Sequence, residues 1–543
     1  MKLKLLLFFL LATMATCTIV GISSANNTMV YSISMDVTEL DPGNTVYSQA
    51  VDNIFEGLVK FKAGTTSIEP CLANSWKISE DGKEIIFHLR KGVHFHDGTN
   101  FNADSVVFSF KRQYDPTHLY HQYGKWYMWN FMFGDVDRIE KINDYAVRLL
   151  LKQPNSSILN SLAMCQVSIV SPTNAGKYKE NAFKHPCGTG PFKFVEWFKD
   201  DHITLEANED YWRERASLDK LIFKVIPDPS ARLMALEVGE VQGMEYPDPV
   251  DFDRIRANKN LFLRNMLGMN IGYLAMNTGY GYIDNNKNGM RDPDLEPLQK
   301  TPGYLEPLTK KKVRQAISMA IDKQAIVDNI YMGTAIKAKN GMPPLMLGYN
   351  DEIEDYPYDP KRAKEFLAEA GYPDGFKVTL HLSPVSRPYM IDPPKIGEAI
   401  QSYLAVVGIK VKIYQIDWLN YLPDLYEGKH QMCLSGWFGD NGDPDNFLNT
   451  NYGTNNASIG VAGNLAFYIN DEAQELLSEA LATYDDEKRV RYYKKVQEMI
   501  HQDAGWVYLV HSTQNMVFRN SIKGFISSPT GRLFFYPVWI EKQ

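Results

Sequence analysis

Helix and strand patterns alternate most clearly between residues 310 and 437. The segment 359–371 begins with an aspartate N-cap followed by proline and ends with glycine, which predicts a helix. Apolar residues recur at every second position in 376–382, which predicts a strand. A second helix pattern over 395–407 and a second alternating run over 409–413 follow. This strand–helix–strand order predicts an α/β layer with a largely parallel sheet.

An earlier part of the chain has a pattern of short strands and turns instead. From residue 75 to residue 110, partly alternating runs such as 84–89 are separated by Asp-Gly pairs at 81–82 and 97–98. These pairs predict turns between strands, and Asn102 can cap a short helix. We find no short repeat and no long low-complexity linker. If the chain folds into more than one lobe, short crossings must therefore join the lobes.

Two opposite charges follow predicted strands of the α/β layer. Arg387 lies in a proline-containing loop after the strand that closes near Leu382, and Asp440 follows the apolar stretch 432–437. In such sheets, ligands bind beyond the carboxyl ends of the strands. A guanidinium can hold a carboxylate bidentately while a carboxylate accepts from an ammonium group, so the pair suits a zwitterion such as a peptide. An internal Arg–Asp bridge or two solvated loop charges are the alternatives.

Length and charge narrow the class of protein. A chain of 543 residues is too long for one hydrophobic core, so we expect at least two lobes. It carries 57 Lys and Arg against 65 Asp and Glu, a formal net charge of −8, and it has no basic patch. We therefore expect no binding to nucleic acid.

The N-terminal segment predicts export. Lys2 and Lys4 precede the uncharged run 5–22, and the small residues of 23–25 fit a cleavage site, so residues 1–25 form a predicted signal peptide. A retained membrane anchor and a lipid anchor at Cys17 are the alternatives. The predicted location is periplasmic or otherwise extracytoplasmic.

Four cysteines remain after cleavage, and they lie in a compartment that permits disulfides. They are Cys71, Cys165, Cys187 and Cys433. Their pairing is open: one bridge or a few buried thiols both fit. Because no CxxC motif occurs, zinc binding and redox chemistry are disfavoured.

One polar loop has the order of a calcium site. Asp284, Asn286, Asn288 and Asp292 occupy positions 1, 3, 5 and 9 of the loop, with glycine at position 6. Position 12 is Leu295 instead of the bidentate acid, unless Asp294 or Glu296 substitutes with a shifted geometry. A structural Ca²⁺ site and a polar, turn-rich loop are both open interpretations, and no other cofactor is expected.

Catalytic signatures are missing from the sequence. It contains no GxSxG and no HExxH motif, and its 11 histidines are scattered. The acids Asp440, Asp443 and Asp445 could chelate a metal, but we rank this below peptide binding. We expect a protein that is not an enzyme.

Several spaced motifs resemble one known family. They are 95–98 (FHDG), 101–109 (FNADSVVFS), 188–192 (GTGPF), 313–323 and 358–372. Together they are similar to the peptide-type (family 5) solute-binding proteins of ABC importers, in the family's order and over nearly the whole mature chain. The segments 387–389 (RPY) and 436–447 resemble the periplasmic dipeptide-binding branch most.

The resemblance implies an α/β, two-lobed periplasmic-binding-protein (Venus-flytrap) fold with an extra α+β domain. It places the parts along the chain in a fixed order. Lobe I comprises 26–65, 205–275 and 510–543, the extra domain of lobe I comprises 66–204, and lobe II comprises 276–509.

The resemblance also implies roles for single residues. The family's matching arginine binds the ligand carboxylate and its matching aspartate binds the ligand ammonium group, which gives those roles to Arg387 and Asp440. Tyr389, Trp437 and Tyr127 are the predicted aromatic walls. The sequence departs from the branch at 390–392, beside the carboxylate end, and it lacks the usual cysteine-bearing loop between Asn449 and Phe467.

The implied function is capture of short peptides, dipeptides first, and delivery to an ABC permease and its ATPase in the inner membrane. We expect a monomer. A protein of the same fold for a longer oligopeptide, glutathione, a metal chelate or haem is the alternative, and a secreted peptidase is a more distant one.

Overall fold

A computed structural model describes residues 27–45 and 49–542. The predicted signal peptide, its alternative anchors and Cys17 lie outside the described residues. Within the described ranges, no helix is both long and apolar enough to cross a membrane.

Strands supply the framework of both lobes. They are β1 Thr28–Ile33, β2 Val59–Phe61, β3 Ile68–Pro70, β4 Ala73–Ile78, β5 Glu84–Leu89, β6 Val136–Asn143, β7 Ala146–Leu151, β8 Phe192–Phe198, β9 His202–Ala207, β10 Lys220–Val225, β11 Gly243–Glu245, β12 Leu261–Leu267, β13 Asn270–Met276, β14 Tyr280–Gly281, β15 Gln299–Lys300, β16 Ala335–Lys337, β17 Lys377–Leu382, β18 Lys410–Gln415, β19 Met432–Phe438, β20 Trp506–Arg519, β21 Ile522–Lys523 and β22 Trp539–Ile540.

Helices pack on the sheets and fill the connections. They are α1 Val51–Ile54, α2 Ala103–Tyr114, α3 Tyr127–Met132, α4 Ile158–Leu162, α5 Pro172–Tyr178, α6 Pro229–Val238, α7 Phe252–Ala257, α8 Glu306–Thr309, α9 Lys311–Ala320, α10 Lys323–Ile326, α11 Pro360–Glu369, α12 Pro393–Val406, α13 Trp418–Tyr426, α14 Asp445–Tyr452, α15 Asp471–Ala482 and α16 Asp486–Asp503. Short 3₁₀ helices lie at His121–Tyr123, Cys165–Val167, Lys179–Lys184, Pro249–Asp251 and Thr454–Asn456, and a π-helix at Val327–Tyr331.

The predicted strand–helix–strand unit is present. Asp359 caps α11, since its carboxylate accepts from the Arg362 amide at 2.9 Å. Helix α12 begins two residues before the predicted start, because Asp392 caps it and Pro393 opens its first turn. Strand β17 then pairs in parallel with both β18 and β19. The sheet of lobe II is mixed rather than parallel throughout, since β13 runs antiparallel to β19.

Strand β20 joins the two lobes. Its first half, from Trp506 to Val510, pairs with β13, and its second half, from Thr513 to Arg519, pairs with β12. The large sheet therefore runs in the order β18-β17-β19-β13-β20-β11-β1-β10-β9-β8. The lobes meet where β12 ends and β13 begins and, beside it, at His511 and Ser512.

Strand pairing moves two boundaries that we predicted from the sequence. Strand β13 belongs to the sheet of lobe II, so the crossing lies near Gly268 rather than after residue 275. Strands β8 and β9 pair with each other and with β10 in the sheet of lobe I, so the extra domain ends before residue 192 rather than at 204. Apolar alternation predicts a strand, but it does not say which sheet the strand joins.

The extra domain has its own sheet and core. Its antiparallel sheet runs in the order β4-β5-β7-β6, and α2 packs on it. A separate cluster of buried side chains, including Phe87, Phe110 and Trp129, fills the space between them. The remaining large clusters lie in the lobes, which gives the molecule the two-lobed α/β architecture with an additional α+β domain.

Candidate binding cleft

A cavity of about 370 Å³ lies where the lobes face each other. One wall comes from the β17, β18 and β19 ends of lobe II, and the other from lobe I and the extra domain. Its lining residues are Gln49, Phe61, Met128, Met164, Cys165, Gln166, Tyr246, Arg387, Pro388, Tyr389, Trp418, Phe438, Gly439, Asp440, Thr530, Gly531 and Arg532. Its volume falls in the range of small-molecule sites.

Arg387 reaches this cavity from the loop after β17. The loop is a tight turn in which the backbones of Arg387 and Met390 exchange two hydrogen bonds of 2.9 Å. The guanidinium carbon lies 3.6 Å from the centre of the Trp418 ring, so the indole covers one face of the cation. Among the described residues, none accepts a hydrogen bond from the buried Nε of Arg387. This buried atom cannot itself meet a ligand, but Arg387 lines the cavity and its Nη atoms make no hydrogen bond or salt bridge to a described residue, so the Nη end of the guanidinium is open to an acceptor there.

Two buried hydroxyl groups hold the Arg387 loop in place by hydrogen bonds to its backbone. Tyr331 donates to the carbonyl of Tyr389 at 3.0 Å, and Ser512 at the lobe crossing donates to the carbonyl of Pro388. Gly436 leaves room for this packing, because a β-carbon there would lie 2.3 Å from the Tyr389 ring. The position of the arginine is thus set by the neighbouring strands and by the crossing between the lobes.

Asp440 follows β19 at the same edge of the sheet. Its backbone amide donates to the side-chain oxygen of Asn446 at 2.9 Å, and the Asn446 amide donates to its carboxylate at 3.3 Å. The same asparagine oxygen accepts from the indole of Trp437 at 3.1 Å. One side chain therefore holds both Asp440 and Trp437 in place.

The carboxylate of Asp440 has no cation nearby to balance it. Burial raises its pKa to about 6, and the Asn446 hydrogen bond offsets this only in part. No salt bridge to Asp440 or to Arg387 occurs within the described part of the chain. The cleft thus contains one cation and one anion that are not paired with each other or with another ionised group.

A second cavity of about 520 Å³ adjoins the first. The two share Tyr389, Trp418, Phe438 and Asp440. Arg387 lines only the first cavity, whereas Asp440 lines both. Asp440 therefore stands at the junction between them.

The structure places two of the three predicted aromatic walls at these cavities. Tyr389 lines both, Trp437 lines the second, and burial raises the pKa of Tyr389 to about 12, which keeps its phenol neutral. Tyr127 lines neither cavity and is 62% exposed. Tyr127 is the first residue of α3 and points to solvent, whereas Met128 and Phe131 of the same helix line the first and second cavity.

Sequence reasoning missed other residues of the cleft. Trp418 follows β18, so the rule that ligands bind beyond the carboxyl ends of strands applies to it as it does to Arg387 and Asp440. It was missed because a tryptophan carries no charge that would mark it as a ligand contact. Tyr246 follows β11 with a left-handed φ of 47°, and its carbonyl accepts from the buried Arg232 at 3.0 Å. Only the assembled lobes bring Tyr246, Met128 and Phe131 to the cleft.

The neighbouring acids Asp443 and Asp445 do not form a metal site with Asp440. Both carboxylate oxygens of Asp443 accept from Arg489, at 2.7 and 2.8 Å, in a buried ion pair. One carboxylate oxygen of Asp443 also accepts a hydrogen bond from the backbone amide of Asp445 at the start of α14. Across the described ranges, no group of three or more His, Cys, Asp or Glu side chains is arranged to hold a metal ion.

The loop predicted as a calcium site uses its acids internally. Asp284 accepts from the amides of Asn288 and Gly289, and the side chain of Asn288 accepts from Met290. Buried Glu296, which the sequence offered as a substitute ligand, accepts from three loop amides, including those of Asn285 and Asp292. Asp292 likewise accepts from Asp294 and Leu295, while Asn286 donates its amide to Glu296. Calcium binding by this loop stays a prediction.

The four cysteines are buried. Cys71, Cys187 and Cys433 are thiols, which agrees with the second of the two arrangements left open by the sequence. Cys165 lines the first cavity.

Comparisons with known proteins point the same way as the motifs. The family model for bacterial extracellular solute-binding proteins, family 5, matches residues 67–459. The chain is 37% identical to "Heme-binding protein A" of Haemophilus influenzae, over 96% of this chain and 93% of that protein. It is also 37% identical to "Dipeptide-binding protein" of Escherichia coli, over 93% of this chain and 92% of that protein.

A solved structure shows the same fold. It is the periplasmic binding protein DppA of Helicobacter pylori in complex with the peptide STSA, which is 35% identical and has a TM-score of 0.74. The match covers 95% of this chain and 98% of that one. These findings confirm the resemblance that the sequence motifs carried.

Proposed function

The chain belongs to the bacterial extracellular solute-binding proteins of family 5, and we propose that it captures short peptides, dipeptides first, for an ABC importer. The observation that carries this proposal is the pair Arg387 and Asp440. The two side chains have opposite charge, line one cavity and are not bridged to each other.

The pair matches the two ends of a free peptide. The carboxylate of the peptide meets the open edge of the Arg387 guanidinium, because Trp418 already covers its face. The ammonium group meets Asp440, whose carboxylate gains the missing cation. If the lobes close on the ligand and exclude water, both contacts become stronger than on an open surface.

Peptide length follows from the same geometry. Arg387 is fixed by its turn and Asp440 by Asn446, so the distance between the two charges is set by the sheet. An extended chain lengthens by about 3.3 to 3.6 Å per residue, and a fixed distance therefore favours one length over the next.

Haem is the second candidate ligand, because one relative of equal identity is named "Heme-binding protein A". The charges in the cleft favour a peptide. Haem carries two propionates, and the other cation that lines the cavity, Arg532, is already paired with buried Asp52. The uncompensated Asp440 repels a propionate and attracts an ammonium group.

Calorimetry with charge variants tests the proposal. We expect Arg387→Ala and Asp440→Asn each to weaken Ala-Ala binding by at least about tenfold, or about 1.4 kcal/mol. Matched changes at exposed charges outside the cleft, Arg362→Ala and Asp253→Asn, should leave the affinity unchanged. Full affinity in both cleft variants, or haemin binding to a protein that ignores di-, tri- and pentapeptides, would overturn the proposal.

The proposal includes the route of the ligand. Export directed by residues 1–25 places the protein in the periplasm or another extracytoplasmic space, where the peptide-loaded monomer meets a permease with its ATPase. No nucleic acid takes part. Recovery of the bound peptide intact, measured by mass spectrometry after long incubation, is the result expected of a carrier, and cleavage products would instead indicate a peptidase.

A further inference from the structure

We infer that the second cavity is a pocket for the side chain of the first residue of the peptide, and that it selects large apolar and aromatic side chains there. This inference rests on the proposed function. It concerns which peptides bind best, whereas the charge pair concerns why peptides bind at all.

The position of Asp440 assigns the pocket to the first residue. The ligand runs through the first cavity from Arg387 to Asp440, so its ammonium nitrogen lies at the junction of the two cavities. The α-carbon of the first residue is one bond from that nitrogen. The side chain of the first residue can therefore enter the second cavity. The second residue of the peptide lies nearer Arg387, which does not line that cavity.

The walls of the second cavity favour an apolar side chain. Aromatic and aliphatic groups line it, among them Phe131, Tyr426, Trp437 and Leu465. Of the described residues that line it, Asp440 alone is charged, and the ligand ammonium would neutralise it. Burying apolar surface against such walls is favourable in proportion to the area removed from water.

Three polar side chains that line the cavity are engaged within the protein. The hydroxyl of Tyr273 donates to the side-chain oxygen of Asn451 at 3.3 Å, and the amide of Asn451 donates to the Phe447 carbonyl at 2.9 Å. Asn456 likewise donates to the Asn449 carbonyl at 2.9 Å. These groups have little to offer a charged side chain, which would lose its water without a partner.

Phe131 closes the pocket from the facing domain. Helix α3 is anchored by Trp129, which stacks on Phe133 in the core of the extra domain at a ring distance of 4.7 Å. Phe131, on another face of the helix, is 53% exposed and lies 6.2 Å from the ring of Trp437. The two rings come from opposite sides of the cleft, so a bulky ligand side chain can pack on both.

Isomeric dipeptides test the inference on the wild-type protein. We expect Phe-Ala to bind at least about tenfold more tightly than Ala-Ala, and Ala-Phe to gain less than about threefold. Equal affinity for Phe-Ala and Ala-Phe, or a larger gain for Ala-Phe, would overturn the pocket assignment while leaving the proposed function in place. Binding of none of the three would overturn both.

Substitution of Phe131 provides the second measurement. We expect Phe131→Ala to weaken Phe-Ala binding at least about fivefold and to leave Ala-Ala within about twofold. Phe131→Leu should restore most of the loss, and Tyr127→Ala, on the same helix but outside both cavities, should change neither affinity. An equal loss for both peptides in Phe131→Ala would mean that the ring supports the cleft as a whole, and would overturn its role in selecting the side chain.

Discussion

Asp440 shows how a single residue can be kept at a cost in stability for the sake of binding. Burial without a cation raises its pKa to about 6, so near neutral pH the folded protein contains an ionised carboxylate that destabilises it. A carboxylate in solution titrates about two units lower. In the proposed complex, the ligand ammonium group supplies the missing partner.

This cost predicts a stability gain in Asp440→Asn. The folded state holds a proton on Asp440 up to about pH 6, whereas the unfolded chain releases it near pH 4, so the carboxylate destabilises the folded protein increasingly between those values. At about pH 8 the variant should be more stable than the wild type by roughly 1 to 3 kcal/mol, and at about pH 4 the two should agree.

Urea unfolding at both pH values measures this difference. A variant that is less stable than the wild type at the higher pH would show that the carboxylate is stabilised in the folded protein. The same variant is expected to bind dipeptides poorly, so stability and affinity should change in opposite directions.

The two charged residues of the cleft were the clearest to predict from the sequence. Arg387 and Asp440 follow strands, so the rule for ligand sites at strand ends made them candidates, and the family resemblance supplied their roles and those of Tyr389 and Trp437. Tyr127 was predicted to face the cleft, but it is exposed, and Met128 and Phe131 of the same helix line the cavities instead. Which side chains of this short helix reach the cavities depends on how Trp129 packs in the core of the extra domain, and the sequence alone does not show that packing.

At the scale of elements, the crossing between the lobes is a compact hydrogen-bonded unit. The side chain of Asn270, at the start of β13, donates to the Ser512 carbonyl at 3.0 Å and accepts from the Ser512 amide at 2.8 Å. The Ser512 hydroxyl donates to the Pro388 carbonyl beside Arg387. The crossing between the lobes and the Arg387 loop are therefore joined through one serine.

Asn270→Ala should accordingly affect both stability and binding. The buried amide of Ser512 loses its acceptor, which costs about 1 to 3 kcal/mol. We also expect a weaker affinity for Ala-Ala, because the Pro388 contact loses its support. Thermal unfolding and calorimetry measure the two effects, with Asn285→Ala, at an exposed loop position, as a control. Unchanged affinity in a destabilised variant would separate the hinge from the site.

The elements themselves followed well from the sequence where local signals were strong. The aspartate cap, proline and glycine of α11 and the alternation of β17 fixed those elements to within two residues. The assignment of β13 and of β8 and β9 to lobes failed, since pairing partners lie far away in the chain. The residues of a strand indicate whether it is buried, but they do not indicate which strand it pairs with in the sheet.

At the scale of the whole molecule, the extra domain touches lobe II beside the cleft. Ser156 donates its amide to the Leu481 carbonyl at 2.8 Å, Tyr484 donates to the Asn155 carbonyl at 2.9 Å, and Asn441 donates to Ser161 at 2.9 Å. The order of the sequence motifs indicated such a two-lobed molecule, but no motif indicated which surfaces meet.

Asp445 makes this contact sensitive to pH. Burial and the nearby carboxylates of Asp443 and of Asp135, on the extra domain, raise its pKa to about 7, and Arg489 opposes them only in part. The folded protein thus binds a proton that the unfolded chain gives up near pH 4, and stability falls as the pH rises from about 4 to about 7. The hydroxyl of Tyr493, which accepts from Arg489, also faces this group.

We expect Asp445→Asn to be more stable than the wild type at about pH 8 and equal to it at about pH 4. Urea unfolding at the two values provides the comparison, with the exposed acid Asp253→Asn as a control. If the difference between variant and wild type is the same at both pH values, then Asp445 does not titrate in this range and the contact is not controlled by its proton.

The central claim is that Arg387 and Asp440 hold opposite ends of one peptide, and end-blocked dipeptides test it most directly. Calorimetry would compare Ala-Ala, N-acetyl-Ala-Ala and Ala-Ala-amide on the wild type, Arg387→Ala and Asp440→Asn. The account predicts that acetylation weakens binding at least about tenfold in the wild type and Arg387→Ala but little in Asp440→Asn, and that amidation shows the reverse dependence on Arg387. Equal losses from each block in all three proteins would contradict the account.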